Sequence, residues 1–411
     1  MHKQILVCCL LFFALATARA QQVPPALMPW PDSVRWAEGK YRLSDRFQAS
    51  LQCDAKDEIL TASANRIFQG LNRKTGLYFR QALLTPGKDM PGAGLSIIAR
   101  QKAEPARGTD ESYTLRVDQA GIRLEAANTI GALRGLETLQ QMLQRDNEGF
   151  YIPFAEIIDR PRFSWRGLMI DVSRHFIPLD VLMRNIDAMA TVKMNVLHLH
   201  LTDDEGFRIE SKALPQLHRK GSDGLYFTQE EMKGLIAYAR LRGIMIVPEF
   251  DMPGHTRSWF AGYPEMASAP GPYAPGPRFM LGEKDTAINI AAIISAPTPT
   301  IDPTREEVYV LIDRFLTEMA TLFPSPYMHI GADENNGAAW RQNPQIRAFM
   351  EKKGMKDTHA LQEYFVSRLY AIVRKNKKTM VGWEELFSPG LAKDVVVQKW
   401  ITLRQRQKQM V

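Results

Sequence analysis

The chain has 411 residues, of which 45% are apolar and 24% charged, enough to bury a large core in one or two domains and too apolar for a disordered tail or linker. Its formal charge of +7 comes from scattered lysines and arginines, with short basic runs only at 374–378 and 404–408. Those runs read as solvated helix and terminus charges, so neither length nor charge marks a nucleic-acid-binding protein.

The chain opens on residues 1–20, MHKQILVCCLLFFALATARA, with one early lysine, an apolar run and an Ala18-Arg19-Ala20 ending. This is the pattern of a cleavable export signal, and it predicts a periplasmic or extracellular protein. The run is shorter than the ~20 residues a bilayer needs, and no later segment is long and uncharged enough, so no membrane association is expected. Cys8 and Cys9 leave with the signal. Cys53 then stands alone, and stability is expected to come from a core rather than a disulfide.

Residues 21–159 read as a small non-catalytic α+β domain. The segments at 111–117 and 121–126 alternate apolar and polar residues, as neighbouring half-buried strands of a hairpin do. After them Leu133, Leu136, Leu139, Met142 and Leu143 recur at helical spacing, which predicts an amphipathic helix packed on the sheet.

From residue 160 to 411 apolar strands alternate with amphipathic helices. Strands are predicted at 166–172, 194–201, 243–250, 327–332, 379–386 and 394–400. The fold class is therefore α/β: a parallel sheet of the TIM (β/α)8-barrel type, with six strands legible, incomplete at its C-terminal end. A proline-rich stretch from Gly262 to Thr304 breaks the pattern and predicts a long loop without regular structure after the third strand.

In such a barrel the C-terminal strand ends form the active face. The first strand carries Arg166 at its start and Asp171, Arg174 and His175 at its end. The second carries His198, His200, Asp203 and Asp204, and the third Glu249, Asp251 and His255. The fourth ends in His329, Asp333 and Glu334, the fifth in Trp383, Glu384 and Glu385, and the sixth in Trp400. Each has a plainer reading. His198 and His200 share one strand face with core leucines between them, Asp333 and Glu334 suit a helix N-terminus, the two arginines suit ion pairs, and both tryptophans suit packing.

Two neighbouring carboxylates can divide their labour when their surroundings drive their proton affinities apart, one staying charged and the other holding a proton as a general acid. Glycosidic cleavage needs such an acid. The usual second carboxylate faces it across the bond at about 5 Å or more, which adjacent residues seldom do. The pair therefore points to a substrate that supplies its own nucleophile while the aspartate positions it.

From Pro24 to Trp400 the sequence resembles the exported β-N-acetylhexosaminidases of glycoside hydrolase family twenty. DESYTL and GALRGLETLQQML resemble the family's first domain. RGLMIDVSRHF, NVLHLHLTDDEGFRIE, PEFDMPGH and HIGADE resemble its successive barrel signatures. The resemblance implies Glu334 as general acid and base and Asp333 as the residue that holds the substrate's acetamido group while its carbonyl oxygen attacks the anomeric carbon. It implies Arg166 on the ring hydroxyls, a polar network of Asp203, His200 and His255 behind the acid, Asp251 as a further acidic position, and Trp383 and Trp400 as walls of the acetamide pocket. The substrates implied are oligosaccharides or glycoconjugates ending in N-acetylglucosamine or N-acetylgalactosamine, with no cofactor and no metal. Ala332 stands where the family usually has glycine, and its methyl is expected to fit if its φ is negative. The family's seventh-strand Tyr-Leu-Asp segment and last tryptophan and glutamate are not found before Val411. The expectation is a truncated member with reduced or absent activity. Two rivals remain: a sugar-binding protein without turnover, and a metal-dependent hydrolase built on the His198–His200 pair.

Overall fold

The computed structural model describes residues 24–87, 90–276 and 299–400; the signal segment lies outside them. Among the described residues no helix is long and apolar enough to cross a membrane. The chain divides into two compact units, the first ending at Arg162 and the second starting at Phe163, with Glu104–Thr109 joining the second.

In the first unit a mixed sheet is formed by β1 (Ser33–Arg42), β2 (Ala49–Gln52), β3 (Leu95–Gln101), β4 (Tyr113–Asp118), β5 (Gly121–Asn128), β6 (Gln144–Asp146) and β7 (Gly149–Asp159). Its order is β1-β7-β4-β5-β3-β2, with β6 on β7. β4 and β5 are the hairpin expected from their alternation, every second residue being buried. The helix Thr129–Gln141 packs on β3, β4 and β5 and against the helix Glu58–Thr75. Asn128 caps it by accepting from the backbone of Ile130 and Gly131, an N-cap worth about 1 kcal/mol. A side chain at Gly131 would collide with the Ser112 carbonyl, so glycine permits this close helix–sheet approach.

The second unit is a curled parallel sheet with helices on its outer face. Its strands are β8 (Gly167–Asp171), β9 (Val196–Asp203), β10 (Gly206–Phe207), β11 (Met245–Phe250), β12 (Tyr327–His329), β13 (Thr379–Trp383) and β14 (Val396–Gln398). Apart from the short antiparallel β10 on β9, pairing is parallel and follows chain order from β8 to β14. This is the architecture of an incomplete (β/α)8 barrel. Every residue of β9 and β11 is buried, as central parallel strands require. The crossover helices supply apolar stripes at helical spacing, such as Ile312, Phe315 and Met319 from Glu306–Leu322 and Leu361, Phe365, Leu369 and Val373 from Thr358–Lys375.

Two expectations change. The loop from Gly262 to Thr304 is not wholly irregular: Pro264–Met266 forms a 3-10 turn and Ala267 bridges to Ile301, pinning its two described ends together. The fourth strand is three residues long, because the backbone after Ile330 leaves the ladder through Gly331 and Ala332 at φ 69° and 74°. Ala332 thus lies in the left-handed region, where its methyl is strained rather than freely accommodated.

Candidate functional site

The strand ends that carry polar residues in sequence meet at the C-terminal edge of the parallel sheet. Register explains how. Asp171 on β8 pairs with His200 on β9, His200 with Glu249 on β11, and Glu249 with His329 on β12. The side chains beyond this row project from the mouth of the sheet. Three non-glycine residues there have left-handed backbones: His255 at φ 53°, Ala332 at 74° and Glu334 at 49°. Gly331 is also required, since a Cβ there would come within 1.6 Å of Asp251 Oδ1.

Asp203 is the buried hub of one half of the site. Its Oδ2 receives Arg174 Nη2 at 2.6 Å and His200 Nε2 at 3.0 Å, while its Oδ1 receives His255 Nδ1 at 3.2 Å. The far side of the His255 ring places Nε2 3.3 Å from Glu334 Oε2. Burial opposes ionisation of Asp203, but His255 and His200 outweigh it and hold the carboxyl below its ordinary range. Burial likewise opposes protonation of His255, yet Asp203 and Glu334 raise it well above the usual histidine value. The His255 hydrogen bond lowers Glu334, whose side chain is 56% exposed. The pairing thus favours the protonated imidazole of His255 and the charged form of Glu334.

Asp333 faces a different environment. Its Oδ1 and the Oδ2 of Asp251 are both buried without a hydrogen-bond donor, and the two carboxyls share a cluster with His255 whose facing atoms lie within 4.8 Å. A single proton shared by the two carboxyls would satisfy both. Burial and the charge on Asp333 push Asp251 well up, so Asp251 carries the proton, and its Oδ1 accepts from the Ala332 backbone at 3.2 Å. Burial raises Asp333 too, against His255. The adjacent acids are thus separated in role, one buried against a protonated partner and the other half-exposed on an imidazolium. Neither caps a helix: the next one, Ala338–Gln342, starts after Gly337 and has no side-chain cap.

A second buried carboxylate, Glu249, lies beneath the mouth and anchors the first tryptophan. Trp383 Nε1 donates to its Oε1 at 2.9 Å and His198 Nε2 meets its Oε2 at 2.7 Å. The Trp400 ring lies edge-on to Trp383 at 6.4 Å and is half-exposed, its backbone N–H bound to Glu384. Glu205, buried beside Asp203, is pushed up to about 7 by burial and by Asp203, against Arg174.

The structure therefore gathers Glu334, Asp333, Asp251, Asp203, His200 and His255 and sets Trp383 beside Trp400. Arg166 is a correction. It precedes β8 at the opposite end of the strand, and its guanidinium donates to the backbone carbonyls of Lys193 and Phe163. Five strand residues, about 16 Å, separate it from the strand end. Arg174 is the arginine at the acids, clamped by Asp171 and Asp203 and close enough to lower Glu334. The strand-end rule already favoured it, since Arg174 follows the strand and Arg166 precedes it. Glu249 was visible as a strand-end acid, but its buried cage was not. Four groups of three side chains bring metal-ligand atoms together among the described residues. His198 Nε2, His200 Nε2 and His255 Nδ1 face carboxylates at hydrogen-bond distance and His200 Nδ1 lies 2.8 Å from Glu249, so the arrangement reads as a chain of alternating acids and bases.

Residues 163–411 match the catalytic domain of glycosyl hydrolase family 20, and residues 27–142 match a domain described as beta-acetyl hexosaminidase like. The chain is 33% identical over 408 residues to the beta-hexosaminidase subunit alpha of Rattus norvegicus, covering 95% of this chain and 74% of that one. Among solved structures, Flavobacterium johnsoniae chitobiase superposes with a TM-score of 0.84 at 40% identity, covering 92% of this chain and 55% of that one. A Streptomyces plicatus beta-hexosaminidase mutant in complex with its product GlcNAc superposes with a TM-score of 0.72 at 28% identity, covering 93% and 71%.

Proposed function

The chain belongs to glycosyl hydrolase family 20, and from that premise we propose that it hydrolyses the bond linking a terminal, non-reducing N-acetylglucosamine or N-acetylgalactosamine to its glycan. The observation that carries the reading is the meeting of Asp333 and Glu334 with Asp251, His255 and Arg174 at one end of the parallel sheet. Glu334 is lowered and Asp333 raised, the reverse of what a resting general acid and its charged neighbour need, so the acid must gain its proton on substrate binding.

Asp333, whose charge the proton on Asp251 supports against the burial that raises it, accepts the N–H of the substrate's acetamido group and turns its carbonyl oxygen toward the anomeric carbon. That oxygen forms the new C–O bond as the glycosidic C–O bond breaks, and Glu334 delivers a proton to the departing oxygen. The proton reaches Glu334 from His255 when the bound sugar strips water from the carboxylate and removes the advantage of its charged form. The oxazolinium ion is then opened by water, with Glu334 taking the water's proton, so the anomeric configuration is retained. Arg174, with its planar fork already directed by Asp171 and Asp203, is placed to bind ring hydroxyls, the role Arg166 is too distant to fill. Trp383 and Trp400 offer apolar faces for the acetamide methyl.

Release of a chromophore from an aryl N-acetyl-β-glucosaminide tests the reading. Wild type turns it over and Glu334→Gln does not, while an aryl β-glucoside without the acetamido group is left intact. If wild type and Glu334→Gln are equally inert yet both bind the sugar, the chain is a sugar-binding protein instead. Export is proposed from the first 20 residues alone; N-terminal sequencing of secreted protein, expected to start at Gln21, checks it.

A further inference from the structure

Glu249 is fully buried, and a carboxylate removed from water persists only if neighbouring donors replace the solvent. The groups facing it come from every adjacent strand. His198 and His200 approach from β9, at 2.7 Å from His198 Nε2 and 2.8 Å from His200 Nδ1, both to Oε2. Trp383 donates from β13 to Oε1. The His329 ring of β12 lies 3.2 Å away, its Nδ1 accepting from the Gly331 backbone. Asp251 and Asp333, above it, also feel its charge. The two imidazoles His198 and His329 pack against the Trp383 indole, with ring centroids 5.8 Å and 5.1 Å from it. The indole is thus held by its N–H and by both rings. On the other side, His200 reaches from Glu249 to Asp203, and Asp203 to His255.

We propose that Glu249 is a positioning residue serving both halves of the site: through Trp383 it fixes the wall of the acetamide pocket, and through His200 and Asp203 it fixes the imidazole that faces Glu334. The pocket-wall half rests on the glycosidase reading above. The chain Glu249, His200, Asp203, His255, Glu334 alternates negative and positive groups, so each charge stabilises the next, and Glu249 is its buried end. His200, between two carboxylates, keeps its proton where burial alone would remove it.

Two substitutions separate the halves. Glu249→Gln removes the charge but keeps the shape, and Trp383→Phe keeps an aromatic ring but removes the N–H. In Glu249→Gln, the His200 imidazole, followed by NMR without substrate and assigned with His200→Asn, titrates at least about one pH unit lower than in wild type. KM for the aryl N-acetyl-β-glucosaminide rises about tenfold, the loss of roughly one hydrogen bond. In Trp383→Phe, KM rises by a similar factor and the His200 titration stays where it is in wild type. The proposal fails if Glu249→Gln leaves the His200 titration unmoved, or if Trp383→Phe moves it as far as Glu249→Gln does. Should Glu249→Gln not fold, wild type decides: His200 losing its proton near the ordinary histidine value overturns the assignment, and retention well above it supports it. A wild type that turns over no acetamido sugar counts against the glycosidase reading, and the titration still decides the charge chain.

Discussion

Replacing Asp251 by asparagine is the sharpest probe of the paired carboxyls. If Asp251 holds the proton, the asparagine of the variant is its near-isostere: the amide N–H donates permanently to Asp333, and the amide oxygen still accepts from the Ala332 backbone. Were both carboxyls ionised, charges within 4.8 Å would repel by about 3–4 kcal/mol at an effective dielectric near 20. The proton is therefore retained on the pair through the ordinary carboxylate range. In the unfolded chain Asp251 ionises near pH 4, whereas the native state keeps the proton to higher pH, so the native state binds more protons between those values and wild type loses stability as pH rises. Asp251→Asn carries no such proton. Its stability, read as Tm, should exceed that of wild type by an amount that grows from pH 4 toward neutrality, with that repulsion of about 3–4 kcal/mol as its ceiling. Catalysis follows the same sign. The protonated pair is the active form, so kcat/KM of wild type falls as pH rises through the raised Asp251 value, and the variant lacks that component. At neutral pH Asp251→Asn should keep activity within about tenfold, while Asp251→Ala, which leaves Asp333 and the Ala332 N–H unpartnered, should lose about a hundredfold or more. Calorimetry from pH 4 to 8 and a kcat/KM profile measure both. The reasoning is refuted if Asn and Ala cost the same, or if the stability difference between wild type and Asp251→Asn is independent of pH.

Arg174→Lys should lower kcat/KM by about tenfold or more through loss of the planar fork, whereas Arg166→Lys should show in Tm rather than KM, because Arg166 binds backbone carbonyls at the far end of β8. Ala332→Val should destabilise by about 3 kcal/mol, measured by denaturant titration, because a branched side chain would be forced into a buried left-handed position at φ 74°. Asp333→Asn should slow cleavage of the N-acetyl-β-glucosaminide by about a hundredfold or more. Successive fluorines on the acetamido methyl should slow wild type, since they weaken the carbonyl oxygen as a nucleophile; indifference to fluorination would exclude that oxygen from the attack.

Strand positions were legible because a parallel strand buried on both faces is a short apolar run, and six such runs lie between helical stripes at the observed places. The ends were less legible. The run at 327–332 is apolar throughout apart from His329, yet the ladder stops there, because Gly331 and Ala332 turn the chain through left-handed backbone that apolar content does not report. The order of the first sheet was also hidden: β1 pairs with β7 across more than a hundred residues, and no local pattern encodes a partner that distant. In the site, residue types at strand ends revealed the acids and histidines. Direction within a strand distinguished Arg174 from Arg166, and the resemblance carried the role to the wrong one. The Glu249 cage depends on which side chains meet inside the sheet, a matter of register between β9, β11 and β12.

The left-handed backbones at His255, Ala332 and Glu334 cost stability, each about 1–2 kcal/mol relative to an ordinary conformation. A laboratory search for heat-resistant variants would find its easiest gains at these positions, where glycine or a rebuilt turn relaxes the chain. Those same bends aim Glu334, the proposed proton donor, and the imidazole behind it. Selection for survival at high temperature alone should therefore enrich sturdy proteins that no longer cut sugars, and a useful screen must score turnover in every round.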